Sequence, residues 1–274
     1  MKLLGRIFDF YLDASIHVAL AVFCLLYVTT YFLNISIDEH LGYFTFFSTI
    51  ACYNFVKYGV EAEKYILVAN RYHKNIQFVS FIALGVALYH SYFFPLDMWI
   101  AFAILMGLTG LYALPVLPKA KNLRSFGGLK IFPVALVWTG TTVVLPLIAV
   151  DATISWDIWV ESIQRFLLVL VLIMPFEIRD LKYDTFELNT LPQRYGAKKT
   201  KMFGGFLAIA FFFLTFLKDD LTQLEILGKT MLFFALIMVM FFTKKEQSKY
   251  FSSFWVEAIP IFWWGSLWVL RQFL

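Results

Sequence analysis

The sequence has 274 residues and a net charge of +4, and 61% of its residues are hydrophobic while only 15% are charged. This composition excludes an ordinary soluble domain and indicates an integral membrane protein. The two cysteines and four histidines are scattered, so the sequence has neither a disulfide framework nor a zinc-binding pattern. The basic residues lie between apolar runs, which favours contact with an anionic membrane surface over binding of nucleic acid.

Apolar runs long enough to cross a bilayer as helices recur along the whole chain. Residues 2–13 precede them and are predicted to form a short amphipathic helix at the membrane interface. The runs lack the alternation of a membrane barrel, so we predict an all-α membrane protein with nine transmembrane helices in one bundle. Their bounds are 15–34, 41–57, 76–94, 97–116, 128–149, 157–177, 202–217, 222–242 and 254–272. Little chain remains for anything else, so residues 1–274 are predicted to form one domain.

The positive charges are distributed unevenly between the two sides of the predicted bundle. Most of the 23 lysine and arginine residues fall in every second connection between the predicted spans. The longer polar loops 58–75, 117–127 and 178–201 are on this same side of the bundle. By the positive-inside rule that side is cytoplasmic, which places the N-terminus in the cytoplasm. The sequence therefore predicts a multi-pass protein, of a bacterial inner membrane, whose functional site faces the cytoplasm.

Three regularly spaced acids follow the sixth predicted span, within the segment 175–196. Glu177, Asp180 and Asp184 have the spacing i, i+3, i+7, which places their carboxylates on one side of a helix. Three carboxylates on one face repel one another unless a cation lies among them, and Mg²⁺ prefers such oxygen ligands. A solvated helix end has a similar composition, so spacing alone leaves a metal site and an ordinary charged boundary as alternatives.

Basic residues beside these acids point to an anionic ligand. Arg179, Lys182 and Arg194 are suited to hold the oxygens that a metal ion leaves free on a phosphorylated substrate. Acids and bases together are typical of a metal-bridged diphosphate site at a membrane surface.

The pattern Asp180-x-x-x-Asp184, followed by the segment TLPQRYG at 190–196, on a chain with nine predicted spans, resembles the UbiA superfamily of intramembrane prenyltransferases. The resemblance extends over almost the whole chain. Its most specific part is the segment 179–196, which begins with RDLKYD and ends with TLPQRYG. It implies an enzyme that uses Mg²⁺ and an isoprenyl diphosphate. Loss of the diphosphate would yield an allylic cation that alkylates an aromatic or other lipophilic acceptor.

The resemblance also implies roles for individual residues. Asp180, Asp184 and Asn54 would be catalytic, and the two aspartates would bind Mg²⁺ together with Glu177. The residues expected to contact the diphosphate or the acceptor are Lys57, Tyr112, Lys119, Arg179, Lys182 and Arg194.

The first acidic motif of the superfamily, Asn-x-x-x-Asp-x-x-x-Asp, corresponds here to Asn54, Tyr58 and Ala62, so both aspartates are replaced. We hypothesise that the Lys57 ammonium replaces one metal ion by pairing with a diphosphate oxygen or with Asp180. The alternative is that Lys57 only extends to the interface. The missing aspartates also favour a second function, a catalytically inactive prenyltransferase-like scaffold or lipid-binding protein.

Two charged residues fall inside predicted spans, where ionisable groups are functional candidates. Glu257 is close to the start of the ninth span, so an interfacial acid is the favoured interpretation. Arg165 is deeper, in the sixth span, and either pairs across the bundle or extends outward.

Overall fold

The computed structural model describes residues 2–60, 71–115, 122–183 and 188–274, and within these ranges the regular structure is helical, with no strand. The α-helices are α1 (Lys2–Asp13), α2 (Ile16–Phe32), α3 (Glu39–Asn54), α4 (Arg71–Ser91), α5 (Leu96–Ala113), α6 (Ile131–Thr139), α7 (Leu145–Ala149), α8 (Trp156–Asp180), α9 (Leu191–Leu214), α10 (Gln223–Phe242) and α11 (Ile259–Leu270). Three π-helical turns accompany them, Phe55–Val60 after α3, Gly140–Val144 between α6 and α7, and Phe251–Val256 before α11. The predicted all-α class is confirmed.

Helical segments coincide with each of the predicted apolar runs. In the described part of the chain, six helical segments are long and apolar enough to cross a membrane. A seventh span is added if α1 and α2, which are bent by 55° relative to each other, are counted as one broken span. Helix α3 has only 16 residues, and α4 begins with the polar segment 71–75. The structure supports a multi-pass membrane protein, while the nine spans and the cytoplasmic N-terminus remain predictions.

Local sequence signals define where α8 and α9 begin. The Ser155 hydroxyl accepts a hydrogen bond from the Ile158 amide at the start of α8. Before α9, the Thr190 amide donates to Gln193 Oε1 at 3.0 Å, as part of a capping box. Because this cap forms in a polar segment, α9 begins at Leu191, well before the apolar run predicted to start at residue 202, and its backbone is kinked at Gly196, where φ is +78°.

The helices pack as a bundle in which α2 contacts both α3 and α11, and α8 contacts α6 and α9. The main hydrophobic core lies between α2, α6, α8, α9, α10 and α11. Where α10 meets α11, the Trp263 indole donates to the Gly228 carbonyl oxygen at 2.9 Å. A Cβ at Gly228 would collide with Leu267, so glycine permits this close approach.

A buried ion cluster joins the beginnings of α8 and α10 to the segment that follows α9. Glu161 Oε2 lies 2.9 Å from Lys229 Nζ and 3.2 Å from Lys218 Nζ, and Glu161 Oε1 lies 3.2 Å from Arg165 Nη2. Glu225 Oε1 is 2.6 Å from Lys229 Nζ. None of the five side chains is more than 1% exposed. Arg165 therefore pairs inside the bundle and does not extend outward.

Candidate active site

The end of α8 presents the first two acids of the predicted motif. The Glu177 carboxylate is buried and lies 3.0 Å from Lys130 Nζ. Asp180 Oδ1 accepts a hydrogen bond from Arg179 Nε at 2.8 Å, and the Asp180 side chain is 32% exposed. Each acid is thus already balanced by a neighbouring cation, and only Asp180 is open to solvent. Asp184 lies outside the described residues.

The segment before α6 reaches this end of α8 because of a glycine. Gly127 has φ of +59°, and a Cβ there would collide with the carbonyl oxygen of Leu188. Glycine therefore lets the segments before α6 and before α9 lie against each other. Lys130, three residues after Gly127, then reaches the buried Glu177 carboxylate.

The predicted basic residues have different environments. The Arg179 guanidinium carbon lies 5.0 Å from the centre of the Phe176 ring, which limits its freedom on the surface of α8. Lys182 Nζ lies 4.6 Å from the centre of the Tyr183 ring and is exposed. Arg194 is exposed near the start of α9. Arg179 is therefore the most constrained of the three cations.

Lys57 lies on the π-helical turn after α3, next to the end of α1. Its Nζ atom is 3.7 Å from Asp13 Oδ1 and 3.5 Å from the Asp13 carbonyl oxygen, and the side chain is 43% exposed. The Tyr58 hydroxyl donates to the same carbonyl oxygen at 2.9 Å. The tyrosine that replaces the first family aspartate therefore joins α3 to α1, and Asp13 is the acid nearest to Lys57.

Asn54 is buried where α2, α3 and α4 meet. Its Nδ2 group donates to the Ala14 carbonyl oxygen at 3.0 Å and to Ser80 Oγ at 2.9 Å. Its Oδ1 atom accepts from Ser15 Oγ at 2.7 Å. Both amide hydrogens are thus used in contacts between helices, so a structural role accompanies the predicted catalytic one.

Asn54→Ala is expected to lower the free energy of unfolding by about 2 kcal/mol, because it leaves buried polar partners without a hydrogen bond. Thermal unfolding in detergent measures the change, and Asn75→Ala, at an exposed position of α4, is the matched control. An unchanged unfolding temperature combined with weaker diphosphate binding would instead assign Asn54 to the substrate alone.

Glu257 joins the site from the last helical segment, directly after the π-helical turn Phe251–Val256. Its carboxylate interacts electrostatically with Lys57 and Arg179. Among the described residues it accepts no hydrogen bond and forms no ion pair. The charge of Glu257 is therefore offset in part by two of the predicted substrate-binding cations, and its interpretation as an interfacial acid remains a prediction.

Several polar contacts hold the segment before α11 in place. Gln247 Nε2 donates to the Pro175 carbonyl oxygen of α8 at 2.9 Å. Farther along, Lys249 Nζ lies 2.7 Å from Asp9 Oδ1 of α1. The hydrogen bond to Asp9 raises the pKa of the Lys249 ammonium, which keeps the pair charged at neutral pH. These contacts join the segment before α11 to α8 and to α1.

An apolar cavity of about 830 Å³ lies beside Asn54 and Tyr58, between α3, α4 and α5. Most of its wall is hydrophobic, with His73 and Gln77 among the few polar side chains. Tyr112, expected to contact the acceptor, is half-buried near the end of α5. Lys119, like Ala62, lies outside the described residues.

Comparison with solved structures identifies the fold. A UbiA homologue from Aeropyrum pernix K1 matches with a TM-score of 0.68 at 11% identity, over 94% of this chain and 98% of that chain. A UbiA homologue from Archaeoglobus fulgidus bound to GPP and Mg²⁺ matches with a TM-score of 0.58 at 12% identity, over 96% and 99%. A structure of digeranylgeranylglyceryl phosphate synthase matches with a TM-score of 0.55 at 17% identity, over 96% of each chain. No protein-family model and no curated protein sequence matches the chain. The chain therefore has the fold of UbiA homologues.

Proposed function

We propose that this chain is a member of the UbiA superfamily and acts as an intramembrane prenyltransferase. It would transfer an isoprenyl group from an isoprenyl diphosphate to an aromatic or other lipophilic acceptor. It would act as one domain, residues 1–274, in a bacterial inner membrane with its site towards the cytoplasm. The observation that carries the proposal is the likeness in fold, along nearly the whole chain, to a homologue bound to GPP and Mg²⁺.

Asp180 and Asp184 would hold the Mg²⁺. Asp180 fits this role because its carboxylate is a hard oxygen ligand that is partly exposed. Glu177 would first have to leave its buried ion pair with Lys130. Among the described residues no three His, Cys, Asp or Glu side chains are grouped for a metal, so the remaining ligands would come from Asp184 and the diphosphate. When bound, the metal supplies positive charge that stabilises the departing diphosphate.

The chain's own cations would bind the diphosphate oxygens that the metal leaves free. Arg179 is held against Phe176, so it would offer its donors with little loss of freedom. Lys57 would exchange its weak contact with Asp13 for a diphosphate oxygen, in place of a second metal ion. The more exposed Lys182 and the other predicted cations, Lys119 and Arg194, would strengthen attraction of the anion. The apolar cavity would keep water away from the allylic cation.

One observation favours the alternative function, an inactive scaffold or lipid-binding protein. Tyr58, in the place of the first family aspartate, donates to the Asp13 carbonyl oxygen and so supports the junction with α1. A site with one acidic motif instead of two would bind a lipid diphosphate without promoting its ionisation. Binding and turnover must therefore be measured separately.

Removal of Mg²⁺ is expected to abolish diphosphate release from labelled geranylgeranyl diphosphate incubated with the detergent-purified protein. The physical reason is that the leaving group then lacks most of its charge stabilisation. Release that depends on Mg²⁺ supports the transferase. Binding that depends on Mg²⁺ without release, across a set of phenolic acceptors, supports the lipid-binding alternative. Absence of any Mg²⁺-dependent binding contradicts both.

A further inference from the structure

Two histidines meet at the end of α3 that is farthest from the proposed diphosphate site. His40 lies in the first turn of α3, and His90 lies in the last turn of α4. Their Nδ1 atoms are 2.8 Å apart, although the two residues are 50 positions apart in the sequence. Asn54 is at the other end of α3, about 20 Å away along the helix. The histidine pair is therefore separate from the site described above.

Aromatic side chains hold both imidazoles in place. The Phe93 ring stacks on His40, with ring centres 4.0 Å apart. The Tyr43 ring stacks on His90, with ring centres 4.9 Å apart. The Asp38 carboxylate accepts a hydrogen bond from the His40 amide at 2.7 Å and so fixes the start of α3. Both histidines are partly exposed, so the two ring nitrogens are pre-arranged and remain accessible to an ion from solution.

The distance between the two Nδ1 atoms suits a change from a hydrogen bond to metal ligation. In the neutral pair one imidazole donates its Nδ1 hydrogen to the lone pair of the other. If the donor ring carries its hydrogen on Nε2 instead, both Nδ1 lone pairs become available and no proton is lost from the pair. Two imidazole nitrogens bound to one tetrahedral metal ion are about 3.3 Å apart. A small separation of the rings is therefore sufficient to admit the ion.

The charges around the histidine pair favour a cation. Residues 7–56 and 75–118, which include both helix ends and the turns beside them, contain no lysine or arginine. Three acids lie in the same region, Asp38 and Glu39 at the start of α3 and Asp97 at the start of α5. A divalent cation that approaches the pair is thus attracted by these carboxylates and is not repelled by any basic residue of these segments.

The chemistry of the two nitrogens selects the type of ion. Imidazole suits Zn²⁺ and Cu²⁺, whereas Mg²⁺ and Ca²⁺ require oxygen ligands. We propose that His40 and His90 bind a Zn²⁺ ion that joins the start of α3 to the end of α4. In the part of the chain that the structure describes, no third His, Cys, Asp or Glu is grouped with them for a metal, so water would complete the tetrahedral shell. This site does not depend on the proposed prenyltransferase function.

The test measures Zn²⁺ binding to the tag-free protein in nanodiscs of uncharged lipid, by competition with a fluorescent zinc chelator and with no diphosphate or Mg²⁺ present. One Zn²⁺ per chain is expected to bind at the histidines and to raise the unfolding temperature by several degrees, because the ion binds only the folded pair. Cu²⁺ in place of Zn²⁺ should give an electron paramagnetic resonance signal coupled to two imidazoles. Absence of saturable Zn²⁺ binding, or coupling of Cu²⁺ to fewer than two imidazoles, would overturn the proposal.

Variants identify the two ligands. His40→Gln and His90→Gln are each expected to weaken Zn²⁺ binding about tenfold or more and to remove the increase in unfolding temperature, because a single imidazole remains. The matched control is His73→Gln, a partly exposed histidine at the opposite end of α4, which should bind Zn²⁺ as wild type does. Wild-type affinity for Zn²⁺ in both His40→Gln and His90→Gln would refute the assignment.

The copper signal of the unaltered protein needs no variant, so it remains decisive if a histidine variant is unstable. An ion held by the carboxylates of Asp180 and Asp184 would show no coupling to imidazole, which distinguishes the two metal sites. Asp180→Asn should therefore weaken Mg²⁺-dependent diphosphate binding and leave the imidazole coupling unchanged. The two proposals fail separately, because the diphosphate experiments test only the prenyltransferase and the zinc and copper experiments test only the histidine pair.

Discussion

Glu161→Gln is expected to lower the free energy of unfolding by about 3–5 kcal/mol, because it leaves three buried cations with only one acid. Glu161 is the centre of the ion cluster, since its two oxygens contact Lys229, Lys218 and Arg165. Glutamine keeps the shape of the side chain but removes the charge that offsets their desolvation. Thermal unfolding in detergent would measure the change, as a decrease of roughly 10 °C in Tm.

The cluster also predicts how a second substitution acts. The double variant Glu161→Gln, Lys229→Met loses one cation together with the acid. Its loss of unfolding free energy should therefore be smaller than the sum of the losses in the two single variants. Glu246→Gln, an exposed acid, is the matched control and should leave Tm unchanged. A decrease in Tm for Glu161→Gln no larger than that of this control would show that the cluster contributes little to stability.

The positions of the helices could be predicted from the sequence because a segment that is surrounded by lipid or by other helices has to be apolar. An uninterrupted apolar run therefore indicates a helix of the bundle. The run 157–177 became α8, but this helix ends at Asp180 and residues 181–183 form a turn, so the predicted helical face that carries Glu177 and Asp180 does not extend to Asp184, which lies outside the described residues. The early start of α9 was not predicted, because its first turns are polar and depend on the cap between Thr190 and Gln193.

Contacts between distant parts of the chain could not be predicted in the same way. Glu161 and Lys229 are 68 residues apart, and neither has a local pattern that identifies the other. Glu257 lies inside the ninth predicted span, near its start, and its electrostatic interaction with Lys57 joins positions 200 residues apart in the sequence. A signal was present in both cases, a charged residue in or near an apolar run, but the sequence did not identify the partner.

Replacement of both Asp180 and Asp184 by alanine is expected to lower the affinity for geranylgeranyl diphosphate, in the presence of Mg²⁺, on the order of 100-fold, or about 3 kcal/mol. The two carboxylates would join the metal to the protein, so their loss removes the metal bridge to the diphosphate. Equilibrium binding of the labelled diphosphate to the protein in nanodiscs measures the change. Asp180 is partly exposed, so its replacement should cost little stability.

Chelation of Mg²⁺ should reverse the direction of this effect. Without the metal, the two carboxylates only repel the anionic ligand, so the double alanine variant should bind the diphosphate as well as wild type or better. Asp219 and Asp220 are exposed acids far from the acidic motif in sequence, and their double replacement by alanine is the matched control for the change in net charge. A double variant of Asp180 and Asp184 that binds with wild-type affinity in Mg²⁺ would refute the metal-bridged site. A loss of affinity that is equally large with and without Mg²⁺ would refute it as well, because a metal bridge cannot account for an effect that persists after the metal is removed.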